Sequence, residues 1–337
     1  MQTKYILTTL LLVLSSVTQL LSATYIWTGT SSTNWDTTSN WSPAGIPVAA
    51  DYITLNSNAP NNLVLDQNRT VANFTINGDT LDLGTYILTT TGVTYFNGGL
   101  VTNGNLNIAG SLCHFGGATI NARIEASCGY YHMNGGLFLK PVVLVSSGTS
   151  NTTGTGNCTF EDSLTINHSG VFYFTMGSST NDFFNGPVTI TNHASKEVYL
   201  ANGDSSFYNA NVTISSTGNG GVAFGNGGGV SVLASGKTIS IGSGGFGADY
   251  LTLKKLKQIG TTAQTLTLTG TAIVNLVGCE FNGNLTLSAG GFLLKDDVFK
   301  SASTFTKTGT AIAIAMATIL ITERQALPTT APQVDSD

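Results

Sequence analysis

A short phrase that recurs at a nearly constant interval places the strongest constraint on the fold of this chain. Residues 183–190 read FFNGPVTI, and residues 207–214 read FYNANVTI, 24 positions later. Related phrases begin at Phe160, another 24 positions upstream, and at Phe281. A period of this size is typical of folds in which each unit stacks on the next. The sequence therefore predicts a repeat architecture.

Each repeat contains short segments in which apolar and polar residues alternate. Examples are residues 53–55, 74–76 and 106–108, with Gly, Asn and Asp between such segments. These segments are typical of strands bounded by turns, and three of them fit one repeat. We therefore predict an all-β fold, a right-handed parallel β-helix of roughly twelve rungs over residues 56–310. An antiparallel β-sandwich is the rival fold, but it does not require the same phrase to return at a fixed interval.

Stacked rungs would place equivalent residues above one another, in ladders of aromatic, aliphatic and asparagine side chains. Phe96, Phe115, Phe138, Phe160 and Phe184 are predicted to form one buried aromatic series. A buried aromatic ring removes about 150–250 Å² from water and can stack on its neighbour. Such a series would supply a continuous core.

The N-terminal segment, residues 1–23, has the pattern of a secretory signal peptide. Lys4 provides a positive charge, residues 5–21 are mostly apolar, and small residues follow at Ser22 and Ala23. Polar residues at 15–19 interrupt the apolar stretch before it reaches the roughly 20 residues of a membrane anchor. We predict a protein that is secreted or displayed on the outer cell surface, with no transmembrane segment after signal removal.

Charge is scarce in this chain. Only 9% of residues are charged and the net charge is −5, whereas about 25% charged residues is usual. The one basic cluster, at Lys254, Lys255 and Lys257, is predicted to be a solvated turn. Because no basic patch is present, we exclude a nucleic-acid partner. The composition favours ordered β-structure with a surface of hydroxyl and amide groups.

Four cysteines in a chain predicted to be exported raise the question of disulfide bonds. Cys113, Cys158 and Cys279 each precede a Phe by two positions, so they should share its buried face. With rungs about 4.8 Å apart, Cys113 and Cys158 would be too distant to bridge. We therefore expect free, buried thiols. Cys128 lies outside this register, and a pairing for it remains open.

Residues 24–55 differ from the repeats and contain all three tryptophans, Trp27, Trp35 and Trp41. Two roles fit this segment. It can be an N-terminal cap that covers the open apolar end and unpaired edge of the first rung, which is the interpretation we favour. Alternatively, the indole rings can form an exposed platform on which a glycan stacks.

A family resemblance rests on this tryptophan-rich segment and on three repeat phrases, at residues 220–225, 234–242 and 281–287. Together they resemble repeat-rich secreted or surface proteins of Bacteroidetes. The resemblance implies an adhesin-like protein, of a kind often exported by the type IX system through a C-terminal sorting domain. The sequence shows no segment that resembles such a domain.

The last residues, 311–337, depart from the repeat pattern. Residues 311–317 can form a strand, but a Pro-rich acidic stretch follows. Codons that encode residues 319–329, read two bases later, can spell FNYGTTSITN, which is similar to FFNGPVTITN at residues 183–192. We therefore hypothesise that this tail is a disordered frameshift product.

Residues with catalytic or metal-binding chemistry form no recognisable motif. Glycoside hydrolysis needs two carboxylates about 5–9.5 Å apart, but the adjacent pairs Glu161-Asp162 and Asp296-Asp297 should each face opposite sides of a strand. The four histidines lack a metal-ligand spacing. We predict no catalytic residue, no metal site and no cofactor.

Threonines at 265, 267 and 269 alternate with leucine and therefore share one face. Stacked threonine arrays can order water, as in ice-binding solenoids. No equivalent run is evident on the neighbouring units of the sequence, so an ordinary solvent-facing strand is the favoured interpretation.

These observations predict a secreted or cell-surface, adhesin-like structural protein that presents rows of Thr, Ser and Asn to glycans. The alternative is a polysaccharide-active lyase or glycosidase, because enzymes of that kind also use the parallel β-helix.

Overall fold

The computed structural model of the chain describes residues 22–148, 150–247, 250–309, 314–317 and 320–321. It is built almost entirely of short strands, with one 3-10 turn at Thr38–Asn40. The strands are β1 Thr24–Trp27, β2 Trp41–Ser42, β3 Tyr52–Leu55, β4 Leu63–Val64, β5 Arg69–Val71, β6 Asn73–Asp82, β7 Ile87–Thr90, β8 Val93–Ile108, β9 Leu112–Phe115, β10 Thr119–Cys128, β11 Tyr130–Met133, β12 Gly136–Phe138, β13 Val142–Ser146, β14 Cys158–Phe160, β15 Leu164–His168, β16 Phe174–Thr175, β17 Asp182–Phe184, β18 Val188–Asn192, β19 Val198–Tyr199, β20 Ser206–Tyr208, β21 Val212–Ser216, β22 Val222–Ala223, β23 Ser231–Leu233, β24 Ile239–Phe246, β25 Tyr250–Lys254, β26 Leu256–Gln258, β27 Gln264–Thr267, β28 Ile273–Val277, β29 Glu280–Phe281, β30 Leu285–Ala289, β31 Gly291–Lys295, β32 Val298–Phe299, β33 Ser303–Lys307, β34 Ile314–Ala317 and β35 Leu320–Ile321.

Each strand pairs in parallel with the strand that occupies the same position in the next rung. The chain therefore winds as a solenoid with three faces. The first face contains β14, β17, β20, β23 and β26. The second contains β15, β18, β21 and β24, and continues as β27, β30 and β33. The third contains β16, β19, β22, β25, β28 and β31. About twelve rungs are stacked in this way, which confirms the predicted parallel β-helix.

Aromatic side chains stack along the interior of the first face. The rings of Phe138, Phe160, Phe184 and Tyr208 lie nearly parallel, with successive centroids 4.6, 5.5 and 5.0 Å apart. Each of these side chains is at most 1% exposed. The ladder follows from the repeat, because in-register parallel strands place identical positions directly above one another. The opening phrase at residues 183–190 is therefore one rung of a continuous aromatic core.

The predicted single aromatic series is wrong at one point. Phe96 and Phe115 pair in register on β8 and β9, which continue into the third face through β11 and isolated bridges to β16. Phe138, by contrast, pairs with Phe160 on the first face. The rings of Phe115 and Phe138 meet across the interior at 5.1 Å and 76°. Two columns therefore exist, and the aromatic position changes face between them because the intervening turns differ in length.

Asparagine side chains form the predicted ladders at the turns. The amide of Asn77 donates to Asn56 at 2.8 Å, and that of Asn97 donates to Asn77 at 2.9 Å. On the first face, Asn209 donates to Asn185 at 2.7 Å. Each amide offers both a donor and an acceptor, so the same side chain can bond to the rung above and to the rung below.

The tryptophan-rich segment folds onto the start of the solenoid. Strand β1 pairs in antiparallel fashion with β2 and in parallel with β3. The rings of Trp27 and Trp35 both pack edge-on against Trp41, each at 5.0 Å between centroids. The segment is thus continuous with the first rungs, and its role as a cap stays a prediction.

All four cysteines are free and buried, as expected. Cys158 and Cys279 occupy equivalent environments, because each backbone N–H donates to a buried aspartate of the next rung, Asp182 or Asp297. Cys128, for which a pairing was open, is likewise free, and its thiol neighbours that of Cys113.

The two ends of the chain are described only in part. Residues 1–21, which hold most of the predicted signal peptide, and most of the tail lie outside the described residues. Within the tail, β34 pairs in parallel with β31, and β35 pairs with β32. Parallel stacking thus extends past the predicted boundary at residue 310, and the frameshift hypothesis stays a prediction. No helix in the described part of the chain is long and apolar enough to cross a membrane.

Adjacent phenylalanines in β17 provide a matched test of the aromatic core. Phe184 is fully buried in the ladder, whereas Phe183 points outward and is 37% exposed. We expect Phe184→Ala to lower the free energy of unfolding by about 3–5 kcal/mol, because it opens a cavity between two stacked rings. Phe183→Ala should cost about 1 kcal/mol. Urea unfolding monitored by circular dichroism measures both, and equal losses would contradict the assigned register.

The buried carboxyl group of Asp182 predicts a pH dependence of stability. Burial raises its pKa to about 7, although hydrogen bonds from Cys158 and Gly177 oppose the shift. The folded state therefore retains a proton that the unfolded state, with a pKa near 3.8, releases. Stability from this group is present below about pH 4 and is lost as the pH rises to about 7, by up to about 4 kcal/mol.

We expect Asp182→Asn to remove this dependence, since the amide stays neutral and its oxygen still accepts from Cys158. Urea unfolding at several values between pH 4 and pH 8 measures it. Asp162→Asn is the control, because that carboxylate lies partly exposed at a turn, where it accepts from the backbone N–H of Ser163. A pH profile of the Asp182→Asn variant that is parallel to that of the wild type would refute the assignment.

Candidate functional site

A depression on the third face offers a concave surface for a ligand. It begins at β22, where Val222 and Phe224 point into the core and Ala223 therefore points outward. The residues that share the outward face of Ala223 are Gly221 and Gly225. At these three positions the rung carries nothing larger than a methyl group and all three residues are buried, whereas the rungs on both sides carry large side chains.

Steric contact with the next rung explains why this surface is bare. A Cβ atom on Gly221 would lie 2.0 Å from the carbonyl oxygen of Tyr250. A Cβ atom on Gly225 would lie 2.5 Å from the carbonyl oxygen of Lys254. Neither position can accept a side chain, and Ala223 between them is only 4% exposed. The packing of β22 against β25 therefore creates the floor of the depression.

Aromatic residues form the walls. Tyr199 pairs in register with Ala223 and stands on one side, and Tyr250, which is 50% exposed, stands on the other. The ring of Tyr199 packs against that of Tyr173 at 5.5 Å, and the ammonium group of Lys196 lies 5.4 Å from the Tyr173 centroid. The volume of the depression is about 450 Å³. We name this depression the tyrosine slot; its defining residues are Glu197, Tyr199, Ala223, Tyr250, Thr252 and Lys254.

Opposite charges lie at different corners of the tyrosine slot. Glu197 precedes Tyr199 by two positions, on the rung before the floor. Lys254 lies on the rung after the floor, at the other end of its strand, and donates to the carbonyl oxygen of Asn226. Burial, together with the charge of Glu197 and the neighbouring Tyr173, raises the pKa of Tyr199 to about 12. The Tyr199 hydroxyl is therefore a neutral hydrogen-bonding group at physiological pH.

A second hollow continues the slot toward the N-terminal rungs. It has a volume of about 420 Å³ and shares Tyr199 and Asn226 with the first. Hydroxyl and amide groups dominate its lining, including those of Asn151, Ser178 and Asn202. The amide of Asn226 donates to Asn202 at 3.1 Å. The two hollows form an extended groove across several rungs, with aromatic faces and neutral polar groups.

The carboxylate pairs considered in the sequence analysis do not converge on this groove. Glu161 accepts from the Asn185 amide at 3.0 Å, so it occupies the asparagine ladder of the first face. Asp297 is buried and accepts from the backbone N–H groups of Cys279 and Lys295. Burial raises the pKa of Asp297 to about 6. Glu197 is the one carboxylate that lines the slot among the described residues.

Histidines and cysteines do not assemble a metal site in the described part of the chain, where no group of three or more His, Cys, Asp or Glu side chains could hold an ion. The rings of His114 and His132 contact one another in a tilted arrangement, with centroids 5.3 Å apart and an interplanar angle of 51°. His168 is buried and its ring bonds to the carbonyl oxygen of Phe172 at 2.7 Å. These three histidines therefore have structural contacts, in a side-chain ladder or at a turn.

The tryptophans proposed as a glycan platform are covered in this structure. Trp27, Trp35 and Trp41 are at most 2% exposed. The indole N–H of Trp27 donates to the Asn61 carbonyl, and that of Trp41 donates to the Trp35 carbonyl, both at 2.8 Å. Their ring faces meet other side chains, so we do not include them in the candidate site.

Sequence reasoning missed the tyrosine slot. In the phrase at residues 220–225, small residues alternate with inward apolar residues, and this alternation is a usable signal for a bare rung. Finding the walls required the alignment of β19, β22 and β25, which are separated by steps of unequal length. Comparisons of the chain with protein families, with curated proteins and with solved structures find no match. The function is therefore argued from the geometry alone.

Proposed function

We propose that this protein is a secreted or cell-surface, adhesin-like β-helix that binds a glycan in the tyrosine slot without cleaving it. The observation that supports the proposal is the bare rung at Ala223 between the aromatic side chains of Tyr199 and Tyr250. The apolar face of a sugar ring packs well on an aromatic ring, and sugar hydroxyls need amide and hydroxyl partners. The groove offers both.

The dimensions and chemistry of the groove support a glycan more than a small apolar ligand. Ligand pockets usually enclose about 300–1,000 Å³, and each hollow falls within this range. The groove is open to solvent along its length, which suits a chain molecule that enters from one end and leaves at the other. Its polar groups are mostly neutral, as expected for recognition of hydroxyl-rich ligands.

The absence of hydrolysis is part of the proposal and rests on the carboxylates. A glycosidase places two carboxylates on either side of the bond that it cleaves. Glu197 is the carboxylate that lines the slot, and Asp182 and Asp297 are buried in the interior. A reducing-sugar assay over the glycans that bind tests this point, and release of new reducing ends would favour the enzymatic alternative.

Filling the slot should abolish glycan binding. We expect Ala223→Tyr to extend the tyrosine ladder above Tyr199, because position 223 points outward and pairs in register with Tyr199. On a glycan array, the variant should lose at least ten-fold in affinity, about 1.4 kcal/mol. Ala234→Tyr on another part of the surface is the matched control. Unchanged binding by a folded Ala223→Tyr variant would exclude the slot.

Removing an aromatic wall tests the same site independently. We expect Tyr199→Ala to weaken glycan binding at least ten-fold, because the stacking surface is lost. Phe183→Ala removes an outward-facing aromatic side chain from the first face and should leave binding unchanged. Isothermal titration calorimetry with a glycan identified on the array measures both variants. Equal losses in the two variants would indicate binding elsewhere on the solenoid.

A further inference from the structure

Hydroxyl side chains form a two-dimensional array on the second face, around the threonine run at residues 265–269. Thr265 pairs in register with Thr286, and Thr286 pairs with Thr304. Two positions further along each strand, Thr267 pairs with Ser288, and Ser288 pairs with Thr306. The premise that this run has no equivalents on neighbouring rungs is therefore wrong. The hydroxyl array consists of Thr265, Thr267, Thr286, Ser288, Thr304 and Thr306.

The array is not evident in the sequence because the rungs that carry it are shorter than the period of the repeat phrases. The step from Thr265 to Thr286 is shorter than the period of the phrases at 160–214, and the step from Thr286 to Thr304 is shorter still. A search at the period of those phrases therefore passes over both partners of Thr265. The strand register, and not a constant spacing, brings these threonines together.

The array is regular, exposed and uncharged. Five of its six members are exposed and Ser288 is half-buried. Neighbouring strands of the array lie about 4.8 Å apart, and alternate residues along one strand lie about 6.6 Å apart. None of the six positions holds an ionisable side chain. The inward neighbours Leu266 and Leu287 are buried and anchor the strands from below.

The outward hydroxyl row continues upstream on the same face. Thr165, Thr189, Thr213 and Ser240 pair in register on four successive rungs. The hydroxyl groups of Thr213 and Ser240 lie 3.1 Å apart. A bulge between Ile214 and Ser216, where β21 pairs with β24, interrupts the parallel row of outward side chains two positions further along each strand. On β27, β30 and β33, both outward positions of each strand carry hydroxyl side chains on three successive rungs without a bulge.

Such a surface can hold water molecules in fixed, repeating positions. Threonine is suited to this task because its branched side chain is restricted in χ1, so each hydroxyl and methyl group keeps its orientation. Charged side chains would order water in shells around themselves, and the array contains none. We propose that the hydroxyl array binds the surface of ice.

The experiment compares ice binding by the mature chain and by variants of single threonines. Thr286→Lys places a long charged side chain at the centre of the array, and Thr159→Lys places the same side chain on the first face, where Thr159 points outward. Thermal hysteresis and inhibition of ice recrystallisation are measured at equal protein concentrations. Circular dichroism and thermal unfolding verify that each variant is folded.

We expect the wild-type chain and Thr159→Lys to shape ice crystals and produce hysteresis, and Thr286→Lys to lose at least nine-tenths of it. Thr286→Val, which keeps the shape but removes the hydroxyl, should lose less than the lysine variant. The proposal is overturned if the wild-type chain shows no more hysteresis than a non-binding protein of equal size. It is also overturned if folded Thr286→Lys retains full activity.

The result is independent of the proposed glycan site. The tyrosine slot lies on the third face and the hydroxyl array on the second. Ala223→Tyr should therefore abolish glycan binding while leaving thermal hysteresis unchanged, and Thr286→Lys should have the opposite effect. Loss of both activities in one folded variant would contradict the separation of the two surfaces.

Discussion

In-register pairing of parallel strands is the constraint on which the rest of this structure depends. Once β17 lies on β14, and β20 on β17, every side chain is fixed above its counterpart on the previous rung. Inward positions must then be filled by residues that stack, as Phe160 and Phe184 do. Turn positions must satisfy their amide groups along the same axis, which asparagine achieves. Core and turns thus follow from a single geometric rule.

In-register pairing does not require the outward side chains to stack, so these positions can differ between faces. On the third face, small residues at one rung and tyrosines at its neighbours produce a concave surface at Ala223. On the second face, hydroxyl residues on β27, β30 and β33 produce a regular array of hydroxyl groups. The stacked interior beneath these two surfaces is built in the same way. Differences in ligand chemistry can therefore arise from outward side chains alone, without any change in the fold.

Much of the fold could be predicted from the sequence, because the aromatic and Asn phrases recur where rung length is constant. Rung length is not constant throughout, and this limits what the sequence reveals. The aromatic position moves from the third to the first face between Phe115 and Phe138. Thr286 and Thr304 align with Thr265 only through shorter steps. The tyrosine slot needs three rungs in register, and although Tyr199 and Ala223 are separated by the period of the repeat phrases, Thr252 follows Ala223 only after a longer step.

Variable turns between fixed ladders also make this scaffold tolerant of insertions. The step from Ala223 to Thr252 is longer than the step from Tyr199 to Ala223, and the extra length is absorbed around β24 while both flanking strands stay in register. At Gly236 an added Cβ atom would meet no other atom within 4 Å. A peptide inserted at that turn would project into solvent without disturbing the stack. The solenoid therefore has the properties of a display scaffold, on which new loops can be grafted one rung at a time.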